Sequence, residues 1–370
     1  MNIEQVYEKI KAKMEAECSR NKGIIPYIPS NGRYTDAKSI YWWTNGFWAG
    51  ILWQMYHAER NPIYVEEARK IEKRLDDALS GFEHIDHDAG FLWLHTAGAD
   101  YRITGNEHSK RRLHHAATVL AGRFNPLLGI IRAWDDQWIE GYDTAGAAII
   151  DTMMNLPLLY LATEITGDKR FKVIAKIHAE TMLRDMVRRD GSVNHQIVYD
   201  TETGRLIANP AGQGYKSGSS WSRGQSWGIY GFALSYRYTH DERFLNAAKR
   251  IAAYFMANVS LTGYIPYCDF RAPEEPIYYD TTAGMAAACG MLEIAGFVNE
   301  YEKPFYINSA KRLVEATDEK WCDYDIDNDG ILDGGSVSYH NDRHHEKIIY
   351  GDYFLIEAVL RLLNKDFLIW

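Results

Sequence analysis

Two kinds of hydrophobic pattern alternate along the chain. In the first, apolar residues recur three or four positions apart among charges, as in 61–79 (NPIYVEEARKIEKRLDDAL), 167–186 and 240–256, with 106–124 and 303–316 built on the same idea. That spacing gives a helix one apolar stripe and leaves its other side to water. In the second, Gly, Ala, aliphatic and aromatic residues run almost without interruption: 43–56, 90–103, 142–166, 222–238, 279–298 and 349–363. A helix that is apolar all round must be surrounded by protein. With the amphipathic stretch 3–18 counted first, six outer helices alternate with six inner ones. The pattern predicts an all-α fold of six helical hairpins, an (α/α)6 barrel whose outer ring shields the inner one. An open solenoid of hairpins is the other solution, but no segment reads as a polar capping repeat.

Two stretches depart from the pattern. Residues 192–209 alternate β-formers around a Thr-Glu-Thr-Gly turn, which predicts a small β-hairpin insertion. Residues 323–338 are rich in Asp and Gly and are expected to form a loop. No Pro/Ser-rich linker interrupts the chain, so a single domain over 1–370 is expected.

Composition bears on function more than on fold. The 370 residues include 11 Trp and 25 Tyr against 13 Phe, an excess of rings with a polar tip that suits half-wet surfaces. A net charge of −9 argues against a broad nucleic-acid-binding face. An anionic ligand must then be met by a few local cations. Cys18, Cys268, Cys289 and Cys322 form no CxxC pair, so reduced, inert thiols are expected. Charges from Glu4 onward leave no apolar core for a secretory signal, and Asp151, Asn155 and Pro157 break the apolar run at 146–162. A soluble, cytoplasmic protein with neither membrane nor nucleic-acid partner is expected.

Polar and aromatic residues collect where the inner helices begin. Trp42, Trp43 and Asn45 stand at one start, His84, Asp86, His87 and Asp88 at the next, then Trp134 and Asp136. Arg223, Gln225 and Trp227, and later Tyr350 and Asp352, follow. Starts that share one rim would line a concave mouth, the usual form of a small-molecule site. Asp151 stands among Ile149, Ile150, Met153 and Met154. Desolvation in such company raises a carboxyl pKa and makes the group a proton donor near neutrality. A buried Asp paired with a basic group accounts for the same pattern. Asp88, in HIDHDAGFLW, fits a helix N-cap as well as a second site carboxylate.

The spacing of His84, Asp86, His87 and Asp88 matches no standard zinc motif, and neither metal nor cofactor is expected. Arg223, between Trp221 and Trp227, can take a carboxylate bidentately or pack on a Trp face. DIDNDG at 325–330 mimics the start of a calcium loop, but its twelfth position is Ser336 where a Glu is needed, so an acidic turn is expected. His344, His345 and Lys347 are either a solvated face or contacts for an anionic substituent.

Five segments in order, WWTNGFWAGILW, HDAGFLW, IIDTMMNLPLLYLA, WSRGQSWGIYGFAL and YGDYFLIEAVLRL, together resemble the unsaturated glucuronyl hydrolases, glycoside hydrolase family 88. The resemblance runs from about Trp43 to Leu363. It implies the same six-hairpin barrel and an uncommon glycosidase chemistry. The substrate is an oligosaccharide left by a polysaccharide lyase, and its C4=C5 enol ether is hydrated. The resemblance further implies Asp151 as general acid and base, with Asp88 assisting. Trp43, Trp134 and Trp227 would stack on sugar rings, and His195 would contact the unsaturated residue. Gln213 and Arg223 would hold polar groups of the substrate, its carboxylate included. The chain departs from the family pattern at Asn45, where an Asp is expected, and over 336–347. A glycosaminoglycan is the first choice of substrate source, with an unsaturated rhamnogalacturonyl hydrolase as the nearest alternative. A sugar 2-epimerase, which would need His pairs at the mouth, and a non-catalytic sugar-binding protein are the readings from other classes.

Overall fold

The computed structural model describes residues 2–81, 84–135 and 138–370, and Asp136 lies outside them. The first outer helix, α1 (Ile3–Arg20), is followed by the first inner helix, α2 (Phe47–Glu59), which is led in by a 3-10 turn at Trp43–Gly46. The next outer element is α3 (Pro62–Arg74), extended by the short α4 (Asp76–Ser80). Its inner partner runs from α5 (Ala89–Trp93) through a π turn (Leu94–Gly98) into α6 (Ala99–Thr104). Outer α7 (Glu107–Gly122) precedes inner α8 (Leu156–Thr166), and outer α9 (Lys169–Asp185) precedes inner α10 (Ser222–Thr239). Outer α11 (Glu242–Val259), inner α12 (Thr281–Ala295), outer α13 (Lys303–Trp321) and inner α14 (Ile349–Leu362) complete the order. Successive inner helices pack side by side and α14 packs back on α2. The ring is therefore closed, and the fold is an (α/α)6 barrel.

Burial follows the sequence pattern. In α11 the buried residues Phe244, Leu245, Ala247, Ala248, Ile251, Ala252, Phe255 and Val259 make one stripe, whereas α12 is buried at every position but Leu292. Five outer helices open on an Asn or Asp whose side chain accepts a first-turn N–H: Asn2, Asn61, Asn106, Asp168 and Asp241. In four of these the residue just before closes the inner helix in the left-handed region: Arg60 (φ 58°), Gly105 (75°), Gly167 (76°) and His240 (55°). Two residues thus suffice to turn from inner to outer helix. At the other end, the connections from outer to inner helix are long: 21–42, 123–149, 186–221, 260–280 and 322–348. These carry the strands and the site.

Two inner segments differ from expectation. Residues 142–166, expected as one helix, form a 3-10 turn (Thr144–Gly146), a strand (Ala147–Ile149), a second 3-10 turn (Ile150–Met154) and only then α8. The helix waits for Pro157, which lacks an N–H and fits only a first turn. Two short strands, β1 (Phe124–Asn125) and β2 (Ile130–Ile131), pair first. The strand at Ala147–Ile149 is β3, and it joins the expected hairpin, β4 (Gln196–Tyr199) and β5 (Leu206–Ala208), in one antiparallel sheet. Residues 90–103 are helical but interrupted by the π turn.

Aromatic side chains fill the middle of the ring. Phe47 packs on Phe91, Tyr353 and Phe354, Phe91 on Trp227, and Trp370 lies parallel to Phe354 at 6.0 Å. No helix among the described residues is long and apolar enough to cross a membrane.

Candidate active site

The long connections enclose a cavity of about 1120 Å³, and seven of the eight candidate residues line it. Asp151 stands in the 3-10 turn that follows β3. Its neighbours Ile150, Thr152, Met153 and Met154 are buried, while its own side chain keeps 13% exposure. The pairing of β3 with β4 brings His195 alongside: the Ile150 N–H donates to the His195 carbonyl at 3.1 Å, and His195 Nε2 lies 3.4 Å from Asp151 Oδ2. His195 Nδ1 accepts the Gln213 N–H at 2.9 Å. With Nδ1 accepting, Nε2 is the ring nitrogen that carries a proton, and it has no hydrogen-bond partner among the described residues. Gly212 makes this approach possible. It sits at φ +59°, and a Cβ there would fall 2.0 Å from His195 Nδ1.

Asp88 precedes α5. Its Oδ1 lies 3.2 Å from His87 Nε2 and accepts from Asn155 Nδ2 at 3.3 Å. Burial, with Asp86 and Asp151 close by, holds the Asp88 carboxyl well above the usual carboxylate range. Burial also depresses His87, whose Nδ1 bonds the Ala133 carbonyl at 2.9 Å. A protonated carboxyl facing the bare Nε2 of a neutral imidazole suits both groups.

Rings form the walls. Trp43 is flanked by Tyr350 at 4.7 Å and Phe91 at 5.4 Å, and Trp134 meets His87 edge-on at 5.5 Å. Trp138 and Trp42, both exposed, extend this lining toward solvent. Trp227 is the exception. It is fully buried beneath the cavity, against Phe91 and Phe354, so the stacking on sugar expected of it is corrected to packing in the core. It lies four residues beyond Arg223 on α10, about 6 Å deeper into the ring.

Arg223 lines the cavity, but Asp280 meets its charge at 2.6 Å. The guanidinium also donates to the Ser336 and Val337 carbonyls at 2.7 and 2.8 Å, over the faces of Trp221 and Tyr350. These bonds also make Arg223 an anchor for the wall, while its Nε has no hydrogen-bond partner among the described residues. Gln213 works beside it, donating its amide to Val337 O at 2.7 Å and accepting the Tyr339 N–H at 2.8 Å. Asn45 is buried and donates to the Ser39 and Ile40 carbonyls at 2.9 Å each.

The 336–347 loop is tied down by its own basic groups. His344 stacks on Tyr278 at 3.6 Å, His345 Nε2 accepts the Tyr279 N–H, and Lys347 pairs with Asp323. The acidic turn at 325–330 is also engaged. Arg20 and the Tyr34 N–H bind Asp329, and the Asp325 side chain accepts the Asp327 N–H. Among the described residues, Asp86, His87 and Asp88 alone gather three possible metal-ligand atoms, within 4.8 Å of one another.

Sequence reasoning passed over Asn155 and Asp280. The signal for Asn155 was a lone amide in an apolar run, and for Asp280 an acid directly ahead of an inner helix.

Paired carboxylates from separate segments, under aromatic walls at the mouth of an (α/α)6 barrel, define a glycoside hydrolase site. No protein-family model matches the chain. Individual proteins do. The unsaturated glucuronyl hydrolase of Bacillus sp. (strain GL1) is 39% identical over 329 residues, covering 86% of each chain. The unsaturated chondroitin disaccharide hydrolase of Streptococcus pneumoniae (strain ATCC BAA-255 / R6) is 31% identical over 339 residues, 89% of this chain and 83% of the relative. The crystal structure of the unsaturated glucuronyl hydrolase from Bacillus sp. GL1 aligns with a TM-score of 0.91 at 35% identity, over 97% of this chain and 96% of that one. The chain belongs to the unsaturated glucuronyl hydrolases.

Proposed function

We propose that this enzyme releases the unsaturated 4,5-uronic acid from the non-reducing end of lyase-generated oligosaccharides, using a single catalytic domain that spans 1–370. The chemistry follows from the substrate. The ring oxygen on C5 makes the C4=C5 bond an enol ether, so C4 takes a proton and positive charge develops at C5 and the ring oxygen. Asp151 delivers that proton to C4 and then accepts one from the water that adds to C5. The resulting hemiketal opens, C1 is left as a hemiacetal, and the linkage falls apart with net addition of one water. Nothing displaces the leaving group at C1, so carboxylate separation does not decide stereochemistry here.

His195 Nε2 stands 3.4 Å from Asp151, close enough to tighten onto it when substrate fills the cavity, and Asp88, held toward its protonated form, lines the same cavity. Trp43 and Trp134 offer faces for the sugars. The observation that carries this reading is the convergence of Asp151, backed by His195, with Asp88 in one cavity. The names of the relatives point to a glycosaminoglycan disaccharide as substrate and give no support to a rhamnogalacturonyl hydrolase or an epimerase. Cys18, Cys268, Cys289 and Cys322 are all free, which suits work in a reducing cytoplasm.

The test is loss of the double bond's ultraviolet absorbance with unsaturated chondroitin, hyaluronan and heparin disaccharides. Asp151→Asn should lower kcat by about 10²–10⁴-fold. Silence of the native enzyme on every unsaturated uronide refutes the reading, and near-normal activity of the variant refutes the assignment of the acid.

A further inference from the structure

Asp88 occupies the N-cap position of α5, yet its carboxylate makes no capping bond. The first-turn N–H of Phe91 is shared between the Asp88 backbone carbonyl, at 2.9 Å, and a side chain from a different segment, Asn155, whose Oδ1 accepts it at 2.8 Å. The same side chain donates from Nδ2 to Asp88 Oδ1 at 3.3 Å and to the Asp151 carbonyl at 3.2 Å. An amide nitrogen carries two hydrogens, so both bonds form at once. Asn155 is fully buried, and Gly90 makes room for it: a Cβ at Gly90 would lie 2.6 Å from Asn155 Cα and 2.7 Å from its Oδ1.

We propose that Asn155 is the positioning residue of the site, a surrogate cap for α5 that frees the Asp88 carboxylate for the cavity and locks it to the backbone of Asp151. An aspartate at the start of a helix ordinarily folds back onto the first turn. Here that turn is already satisfied. His87 and Asn155 both hold Asp88 through Oδ1, and Oδ2 takes no hydrogen bond among the described residues. The one amide touches both catalytic segments, so a change in it alters their relative placement without removing a group that meets substrate. The catalytic part of this inference rests on the hydration reading above.

Asn155→Asp keeps the acceptor for the Phe91 N–H and loses both donated bonds. Asp88 faces Asp86, His87 and Asp151, with Arg123 near. Loss of the amide hydrogen, with a further carboxylate in its place, disfavours the Asp88 anion. The expected results are a fall in kcat of about 10- to 100-fold with a much smaller change in KM, and an upward move of the Asp88 titration. That titration is followed by carboxyl carbon-13 NMR and by the pH–rate profile. In an Asp88→Asn background the further loss should be small, since the two residues act through one contact.

Native kcat and an unmoved Asp88 titration in Asn155→Asp overturn the proposal. So does a loss that is fully multiplicative with Asp88→Asn. Asn155→Ser, which is smaller than the native residue, carries the same kinetic expectations should the aspartate variant not fold. If neither folds, the role is that of the fold alone and the proposal fails. A native enzyme silent on unsaturated uronides refutes the reaction while leaving the NMR titration to decide the clamp.

Discussion

Asp88 shows what a site carboxyl costs its own protein. Burial raises its pKa above that of the unfolded chain, where an aspartate titrates near 4. The unfolded state therefore sheds this proton first as pH rises. The contribution of Asp88 to stability is whole below about pH 4 and declines as pH climbs through its folded pKa. Asp88→Asn removes this dependence. Its melting temperature should exceed that of the native enzyme at neutral pH, by a degree or two for each kcal/mol recovered (roughly), and the gap should shrink toward pH 4 while activity is lost. Calorimetry of both proteins across pH checks it; an equal gap at all pH values would show that Asp88 is not held protonated.

At the scale of elements, capping divides the barrel. The outer helices α1, α3, α7, α9 and α11 are each capped by an Asn or Asp side chain, whereas the residues ahead of the inner segments, Gly46, Asp88, Asn155, Trp221, Asp280 and Ile348, make no such bond. Asp241→Ala should then lower stability by about 1 kcal/mol and leave kcat/KM unchanged, as read by denaturant unfolding beside the absorbance assay. The same contrast explains what could be read from the chain. Helical alternation and outer caps are local, and 240–256 carries its stripe and its Asp in one short stretch. The strand β3 is not local, because its partner β4 lies almost fifty residues on, and without β4 the run Ala147–Ile149 looks like more inner helix. Asp88 and Asp241 have the same local grammar, an acid before a helix. Only a distant amide, Asn155, shows that one of them has been released from it.

The whole molecule is acidic, at −9, and Asp86, Asp151 and Glu140 share the lining of the cavity while Asp280 neutralises Arg223. A substrate with a carboxylate approaches against this field. Raising ionic strength from about 10 to 150 mM should therefore increase kcat/KM several-fold with little change in kcat. A fall in kcat/KM over that range would instead mean a local cation steers the ligand.

Beneath the mouth, Phe47, Phe91, Trp227, Phe354 and Trp370 fill the ring from wall to wall. A polysaccharide has no way to thread such a barrel. Only a chain terminus can be seated, and each turnover must empty through the opening that admitted it. The enzyme is thereby a trimmer of ends whose two products leave by the door at which the next substrate waits.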